Sequence, residues 1–143
     1  MKACVIDASV VAAAFFQEAH AEAARALLVA DCELHAPDLI LAEVGNVIWK
    51  RHGRREIDEA EARQMLADCL RLPLKIVPSG DLVEPALALA LRTNRTVYDC
   101  LYLALAIRTK SALMTADERL VNALADGPLE KHVAWLGSPN GHY

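Results

Sequence analysis

The sequence predicts an α/β fold in which helices cover a mainly parallel β-sheet. Short apolar segments that are typical of strands alternate along the chain with longer segments of helical periodicity. The strand segments are largely apolar, as expected for strands that are buried on both faces of a parallel sheet. No linker interrupts the 143 residues. The length therefore predicts a single domain over residues 1–143, with a core of residues 2–136 and a short C-terminal tail.

Five short segments are the predicted strands: Lys2–Ile6, Glu33–Ala36, Leu74–Val77, Ala112–Met114 and Lys131–Leu136. The third of them is bounded by Pro73 and Pro78, as expected because proline seldom lies inside a central strand. Gly137–Tyr143 contains the turn-forming residues Pro139, Asn140 and Gly141, so this tail is predicted to be a loop.

Helix starts are predicted from residues that cap the first turn. Ser9 is the predicted N-cap of a first helix that runs to Phe16. Thr96 and Thr115 each precede an acidic residue by three positions, which is the spacing of a capping box. The helices that they open are predicted to run to about Lys110 and to Leu124. The other predicted helices are His20–Ala30, one from Pro37-Asp38 to Arg51, Asp58–Leu72 and Asp81–Arg92.

Composition excludes several classes of protein. Hydrophobic residues make up 55% of the chain, which excludes a disordered protein. The net charge of −4 argues against nucleic-acid binding through bulk charge, although a local basic patch stays open. The chain lacks the motifs of α/β-hydrolases, dinucleotide-binding proteins and P-loop proteins.

The cellular compartment is predicted from the N-terminus and the cysteines. The apolar N-terminal stretch contains Asp7, and a charge inside such a stretch argues against a signal peptide. No apolar run reaches the ~18 residues that a membrane-spanning helix requires. The four cysteines are far apart in the sequence and are predicted to be reduced thiols. We therefore expect a cytoplasmic protein that does not enter a membrane.

Four acidic residues in apolar surroundings carry the functional signal. Asp7 and Asp117 follow predicted strands, at the edge of a parallel sheet where ligand sites form. Asp99 lies in the first turn of a helix that is apolar on all sides and is therefore predicted to be central. Glu43 shares a narrow polar stripe with Asn46 on a helix that is otherwise apolar and is predicted to be mostly buried.

Each acid also has a purely structural explanation. Asp7 could cap the helix that follows it, and the stripe that carries Glu43 could face water. Asp99 could be the capping-box partner of Thr96, and the positive end of a helix dipole could stabilise Asp117. For each acid alone, the sequence leaves these alternatives open.

The four acids together favour a metal site. If the strands are parallel neighbours, the carboxylates converge at one edge of the sheet, where their repulsion requires a proton or a cation. Oxygen ligands without His or Cys favour Mg²⁺ or Mn²⁺. The other 15 acidic residues equal the 15 basic ones in number, so the net negative charge of the chain equals that of these four acids.

The residues around these acids resemble those of PIN-domain ribonucleases, specifically the VapC-like toxins of type II toxin–antitoxin pairs. The resemblance extends from Lys2 to about Trp135 and includes four motifs in the family's order. They are Val5-Ile6-Asp7-Ala8-Ser9, Ala42-Glu43-Val44, Tyr98-Asp99-Cys100-Leu101-Tyr102-Leu103-Ala104 and Met114-Thr115-Ala116-Asp117-Glu118-Arg119-Leu120. The resemblance implies a three-layer α/β/α sandwich and a metal-dependent endonuclease that cleaves RNA.

The resemblance also implies roles for individual residues. The acidic quartet of the family is matched by Asp7, Glu43, Asp99 and Asp117. Asp7 and Asp99 are the firmest predicted ligands of Mg²⁺ or Mn²⁺, and Ser9 and Thr115 match hydroxyl positions that line or brace such sites. The implied partners are an RNA substrate, with tRNA as one candidate, an antitoxin protein that blocks the site, and a second copy of the chain in a homodimer.

Basic and aromatic residues are further candidates for RNA contacts. A short run after the Glu43 helix could bind phosphates, or could simply complement the negative end of that helix; its members are Lys50, Arg51, Arg54 and Arg55. Arg92 and Arg95 flank the Asp99 helix and are similar candidates. Trp49 and Tyr102 are predicted to pack in the core, although either could stack on a base.

Two other functions fit the same pattern. The chain could be a non-catalytic module of this fold that binds RNA or a protein, and the intact set of four acids argues against this. It could also be a nuclease of this fold that acts on DNA or in RNA processing. The small size and the absence of further domains favour a stand-alone toxin instead.

Overall fold

The computed structural model of the protein describes residues 2–138 and contains a five-stranded sheet in which every strand pair is parallel. The strands are β1 (Lys2–Ile6), β2 (Cys32–Pro37), β3 (Leu74–Val77), β4 (Leu113–Thr115) and β5 (Val133–Trp135). Their order across the sheet is β3-β2-β1-β4-β5. The predicted parallel sheet of about five short strands is therefore confirmed.

Seven α-helices flank this sheet within residues 2–138. They are α1 (Ala8–Phe15), α2 (Ala21–Leu28), α3 (Leu39–Gly53), α4 (Glu59–Leu70), α5 (Val83–Thr93), α6 (Val97–Arg108) and α7 (Glu118–Leu124). Two single 3-10 turns, Ser79–Asp81 and Glu130–His132, precede α5 and β5. In the part of the chain that the structure describes, no helix is long and apolar enough to cross a membrane.

The strand order explains why the helices form two layers. The chain moves from β1 to β2 to β3 in one direction and then returns across the sheet to β4. Because parallel crossovers are right-handed, connections that move in opposite directions lie on opposite faces. Helices α1 to α4 therefore cover one face, whereas α5 and α6 cover the other. The contacts agree, since α6 packs on β1, β2 and β4 while α3 packs on β2 and α1.

The centre of the sheet is the point where the chain reverses direction. β1 and β4 are neighbours there, with Ile6 paired with Met114. The next residue on each strand is Asp7 or Thr115, at the carboxyl edge of the sheet. In open α/β sheets, ligand sites form at this kind of topological switch point. The fold thus places two of the predicted site residues at its most favourable position.

The apolar helix α6 is the centre of the core, as predicted. Residues 100–106 are all buried, and Leu103 is fully inaccessible to solvent. The four cysteines are free thiols, as predicted. Cys4 and Cys32, although distant in sequence, lie on adjacent strands with their sulfur atoms 3.0 Å apart.

Two predicted helix caps are wrong. The N-cap of α1 is Asp7 and not Ser9, because the Asp7 carboxylate accepts from the backbone N–H groups of Ser9 and Val10. The N-cap of α7 is Asp117 and not Thr115, because Thr115 is the last residue of β4. Thr96 does cap α6, since its hydroxyl accepts from the N–H of Asp99 at 3.1 Å.

The prediction that α3 is mostly buried is also wrong. Only Ile40, Val44 and Ile48 are buried along this helix, and Trp49, predicted to lie in the core, is 68% exposed. The reason is that α3 packs along one side only, against α1, α4 and β2. Apolar residues on its other side face solvent.

The C-terminal segment differs slightly from the predictions. The last strand was predicted from Lys131, but Glu130–His132 forms a 3-10 turn and β5 begins at Val133. Of the predicted loop Gly137–Tyr143, residues 139–143 lie outside the described residues. The single domain over residues 1–143 stays a prediction.

Truncating the core of α6 is expected to destabilise the fold. Leu103→Ala should lower the free energy of unfolding by about 2–5 kcal/mol, because it leaves a cavity in a fully buried position. Urea unfolding followed by circular dichroism measures the change. Leu91→Ala is the matched control, because Leu91 is a helical leucine that is 79% exposed, and it should change the value by less than about 0.5 kcal/mol. Equal effects at the two positions would contradict the central position of α6.

Candidate active site

The carboxylate of Asp7 lies at the carboxyl edge of the sheet, between β1 and β4. Its Oδ1 accepts hydrogen bonds from the backbone N–H groups of Ser9 at 3.0 Å and Val10 at 3.4 Å, and from the Ser9 hydroxyl. Its Oδ2 accepts from the Thr115 hydroxyl at 2.6 Å. Asp7 is therefore fixed by its own helix and by the neighbouring strand together.

The two hydroxyls that hold Asp7 also hold the loop after β4. Ser9 Oγ accepts from the N–H of Ala116 at 2.9 Å, and Thr115 Oγ1 accepts from the N–H of Asp117 at 3.0 Å. The hydroxyl oxygens of Ser9 and Thr115 lie 3.3 Å apart, and Thr115 is completely buried. Ser9 and Thr115 thus hold the Asp7 carboxylate and the loop after β4 together, and their part in a metal site stays a prediction.

Burial raises the pKa of the Asp7 carboxyl to about 6, although its hydrogen bonds from Ser9, Thr115 and Val10 oppose the shift. None of the groups that donate to Asp7 is basic. The negative charge of Asp7 is therefore stabilised only by neutral hydrogen-bond donors. Because the position is partly buried, the ionised form has an unfavourable free energy there. A cation at this place would lower that cost.

Glu43 comes to the same edge from α3 and meets a tyrosine of α6. The Tyr102 hydroxyl donates a hydrogen bond to Glu43 Oε1, and Tyr102 is only 4% exposed. Burial raises the pKa of Tyr102, and the hydrogen bond to Glu43 and the charges of Glu43, Asp7 and Asp99 raise it further. The phenol therefore stays protonated, and it lies near three of the four acids.

Asp99 and Asp117 lie on the α6 and α7 side of the site. Burial raises the pKa of Asp99; the charge of Asp117 adds to this, while the charge of Arg95 opposes it. Asp117 is exposed, and its Oδ1 accepts from the backbone N–H groups of Arg119 at 3.1 Å and Leu120 at 3.4 Å. Asp117 is thus the N-cap of α7, one position before the first turn in which the sequence placed it, and its charge also acts on Asp99.

The donor set is chemically suited to a hard divalent cation. The four carboxylates and the two hydroxyls supply oxygen ligands only, which Mg²⁺ and Mn²⁺ prefer. Asp7 lacks a basic partner, and the mutual effect of Asp99 and Asp117 is repulsive. Among residues 2–138, however, no three His, Cys, Asp or Glu side chains form a ready-made metal-binding group. The acids are therefore near one another but are not arranged as a closed cage.

The basic run after Glu43 lies apart from the acids. Arg51 forms ion pairs with Glu18 and, at 2.8 Å, with Glu56, and its guanidinium stacks over Phe16. These contacts tie it to the end of α1 that is opposite to Asp7. Lys50, Arg54 and Arg55 are exposed. At 1.5 Å per residue, Arg54 lies about 16 Å along the helix from Glu43.

Tyr102 is the site residue whose position the sequence does not reveal. Its predicted burial is correct, but the sequence gives no sign that its hydroxyl reaches Glu43, 59 positions earlier. The spacing from Asp99 is the available signal, because residues three apart on a helix share a face. Arg95, by contrast, is a basic candidate that the structure does place near Asp99.

Comparison with known proteins identifies the family of this chain. The PIN domain profile matches residues 4–125. The chain belongs to the PIN-domain family. It is 37% identical over 118 residues to Ribonuclease VapC3 of Pyrobaculum aerophilum, a match that covers 81% of this chain and 90% of the relative. It is 35% identical over 124 residues to Ribonuclease VapC1 of Mycobacterium tuberculosis, covering 86% and 92%.

A solved structure described as a toxin–antitoxin complex from Klebsiella pneumoniae has the same fold. It superposes with a TM-score of 0.63 at 20% identity and covers 92% of this chain and 95% of the other. The predicted resemblance of this PIN-domain chain to VapC-like proteins is therefore confirmed, as is the PIN-like α/β fold. The roles of the individual acids stay predictions.

Replacing Asp7 by Asn is expected to change how stability depends on pH. The pKa of Asp7 is about 6 in the folded protein and 3.8 in the unfolded chain, so the folded state binds an extra proton between these values. The resulting stabilisation is fully present below pH 3.8 and is lost as the pH rises through 6. Relative to Asp7→Asn, the wild type should lose up to about 3 kcal/mol between pH 4 and 7.

Urea unfolding of both proteins in EDTA, at intervals between pH 4 and 7, tests this expectation. The difference between the two free energies isolates Asp7, because the other titrating groups are common to both proteins. If that difference does not vary with pH, the Asp7 carboxylate is not enclosed as described.

Proposed function

We propose that this PIN-domain protein is a divalent-metal-dependent endoribonuclease and the toxin of a toxin–antitoxin pair. The observation that carries the proposal is the Asp7 carboxylate, which is held by neutral donors at the switch point of the sheet and is close to other acids. The names of the relatives, Ribonuclease VapC3 and Ribonuclease VapC1, support the choice of RNA as substrate.

In this proposal Asp7 and Asp99 would be direct ligands of the cation, and Glu43 and Asp117 would hold water molecules bound to it or orient the water that attacks. Bound Mg²⁺ or Mn²⁺ supplies charge stabilisation at the scissile phosphate and an acidified water. Ser9 and Thr115 keep the Asp7 carboxylate in one orientation through the bonds described above. The acids cannot approach a phosphate without a cation, because like charges would repel it.

Phosphate recognition requires basic residues near the acids. Arg95 meets this requirement, since its charge already acts on Asp99. Lys50, Arg54 and Arg55 are proposed to contact the RNA farther along the strand, whereas Arg51 is engaged in its two ion pairs. Exposed Tyr98, next to Asp99, is available to a neighbouring base.

The partners follow from the same proposal. The structural neighbour from Klebsiella pneumoniae is described as a toxin–antitoxin complex, and we propose that an antitoxin protein likewise covers the acids of this chain. We also propose a homodimer and a cytoplasmic location. A tRNA is one candidate substrate, because proteins of this kind are expected to cut single-stranded loops of structured RNA.

RNA cleavage by the purified protein tests the proposal. Mg²⁺ or Mn²⁺ should support cleavage of a labelled structured RNA, and EDTA should abolish it. Asp99→Asn, purified identically, should lose about 100-fold or more of the rate, because it removes a proposed ligand. The products should carry 5′-phosphate and 3′-hydroxyl ends, since a water and not the 2′-hydroxyl attacks.

The controls distinguish the other two functions. Cleavage of single-stranded DNA at the same rate as RNA would indicate a DNA nuclease of this fold. RNA binding without cleavage under any metal would indicate a non-catalytic module. Equal cleavage by wild type and Asp99→Asn would reveal a contaminating ribonuclease if EDTA leaves it unchanged, and would contradict the assignment of Asp99 if EDTA abolishes it in both preparations.

Removing Arg95, whose charge acts on Asp99, should weaken RNA binding more than removing the basic residues at the end of α3. Arg95→Ala should reduce the slope of log K against log salt by about 1, because one phosphate contact is lost. The double variant Arg54→Ala/Arg55→Ala is the comparison and should have a smaller effect on a short RNA that spans only the acids. Fluorescence anisotropy in Ca²⁺, which also binds to oxygen ligands, measures RNA binding with the acids neutralised, and gel electrophoresis of the same samples verifies that the RNA stays intact. A larger effect of the double variant would place the RNA along α3 instead.

A further inference from the structure

We propose that Tyr102 is a positioning residue, whose buried hydroxyl fixes the Glu43 carboxylate toward Asp7 and Asp99. This inference rests on the proposed function, because it assigns a role within the same acidic site. It concerns a residue that does not itself touch the RNA, and it is carried by one hydrogen bond between two helices that pack on opposite faces of the sheet.

The first step is the geometry. Glu43 belongs to α3 and Tyr102 to α6, so the hydrogen bond from the Tyr102 hydroxyl to Glu43 Oε1 joins the two helical layers at the carboxyl edge. Tyr102 is 4% exposed and lies inside the fully packed segment 100–106, so its ring has little freedom to move. A rigid donor thus meets a flexible acceptor.

The second step is the freedom of the acceptor. A glutamate side chain has three rotatable bonds, and Glu43 is only partly buried on a helix that is half exposed. Ordering such a side chain costs conformational entropy, which a metal ion or substrate would otherwise have to overcome at the moment of binding. A hydrogen bond that exists before binding removes part of this cost.

The third step is the chemistry of the donor. A lysine or arginine in the place of Tyr102 would also orient Glu43, but its positive charge would compete with a cation for the carboxylate. A neutral phenol donates one hydrogen bond to Oε1 and leaves Oε2 and the negative charge available. The charges of Asp7 and Asp99 also act on the Tyr102 hydroxyl, so the group that holds Glu43 lies close to both of these acids.

Tyr102→Phe tests the inference, with Tyr98→Phe as the matched control. Both substitutions remove one hydroxyl from a tyrosine of α6 and retain the ring, but Tyr98 is 64% exposed. Mn²⁺ binding by isothermal titration calorimetry, in the absence of RNA, should weaken about tenfold in Tyr102→Phe and stay unchanged in Tyr98→Phe. In cleavage assays kcat should fall by a similar factor with little change in KM, because the RNA contacts are retained.

A second variant distinguishes positioning from a merely structural role. Glu43→Asp retains the charge but withdraws the carboxylate from the Tyr102 hydroxyl by one methylene. If the hydrogen bond acts through Glu43, adding Tyr102→Phe to Glu43→Asp should produce no further loss of Mn²⁺ affinity. If each substitution instead lowers the Mn²⁺ affinity by its own factor and the two factors multiply in the double variant, the proposal is overturned. If thermal unfolding shows that Tyr102→Phe is not folded, Glu43→Asp alone still tests the proposal. An unchanged Mn²⁺ affinity in Glu43→Asp would then overturn the proposal.

The failures of the two proposals are distinguishable. A wild type that binds Mn²⁺ but does not cut RNA refutes the nuclease, and the calorimetry still decides the role of Tyr102. A wild type that cuts RNA, with Tyr102→Phe equal to it in Mn²⁺ affinity and kcat, refutes the positioning role alone. A wild type that neither binds Mn²⁺ nor cuts RNA overturns both.

Discussion

The position of the Asp7 carboxylate is the constraint on which the rest of the site depends. It lies where the chain leaves β1 toward one face of the sheet and where β4, reached from the other face, comes alongside. One oxygen accepts from the start of α1 and the other from Thr115 at the end of β4. A single side chain therefore caps a helix and links the two central strands. Its function as a cap and its proposed function as a ligand use the same orientation and do not compete.

This arrangement places several carboxylates whose ionised forms are unfavourable at one edge of a stable fold. Burial raises the pKa of Asp7 and of Asp99, and the charge of Asp117 raises that of Asp99 further. The fully packed segment 100–106 of α6 supplies the apolar burial that holds this edge in place. A structure that only had to be stable would replace these acids by apolar or neutral residues. The presence of these carboxylates at the carboxyl edge of the sheet is the physical argument for the cation that we propose.

Most of the fold could be predicted from the sequence because it depends on local patterns. The apolar strands, the Thr96 cap and the apolar helix α6 are properties of a few consecutive residues. The site depends on contacts between distant residues, which local patterns do not contain. Thr115 has the spacing of a helix cap, yet its hydroxyl donates to Asp7, 108 positions away. The exposed side of α3 is equally unpredictable, because a helical wheel shows which residues are apolar but not whether another element covers them.

Contacts near both ends of α3 hold Glu43 in a defined position, although this helix is half exposed. Near its start, the Tyr102 hydroxyl holds Glu43 against α6. Near its end, Arg51 is bound by Glu18 and Glu56 and stacks on Phe16, which ties α3 to the far end of α1. Asp7 caps the start of α1 and Glu43 lies on α3, so these contacts of Arg51 join the same two helices again at the other end of α1, about 12 Å away. Arg51, for which the sequence leaves open an RNA contact or a role at the end of α3, thus links α3 to the end of α1, and a cation engaged in this way has little capacity left for a phosphate.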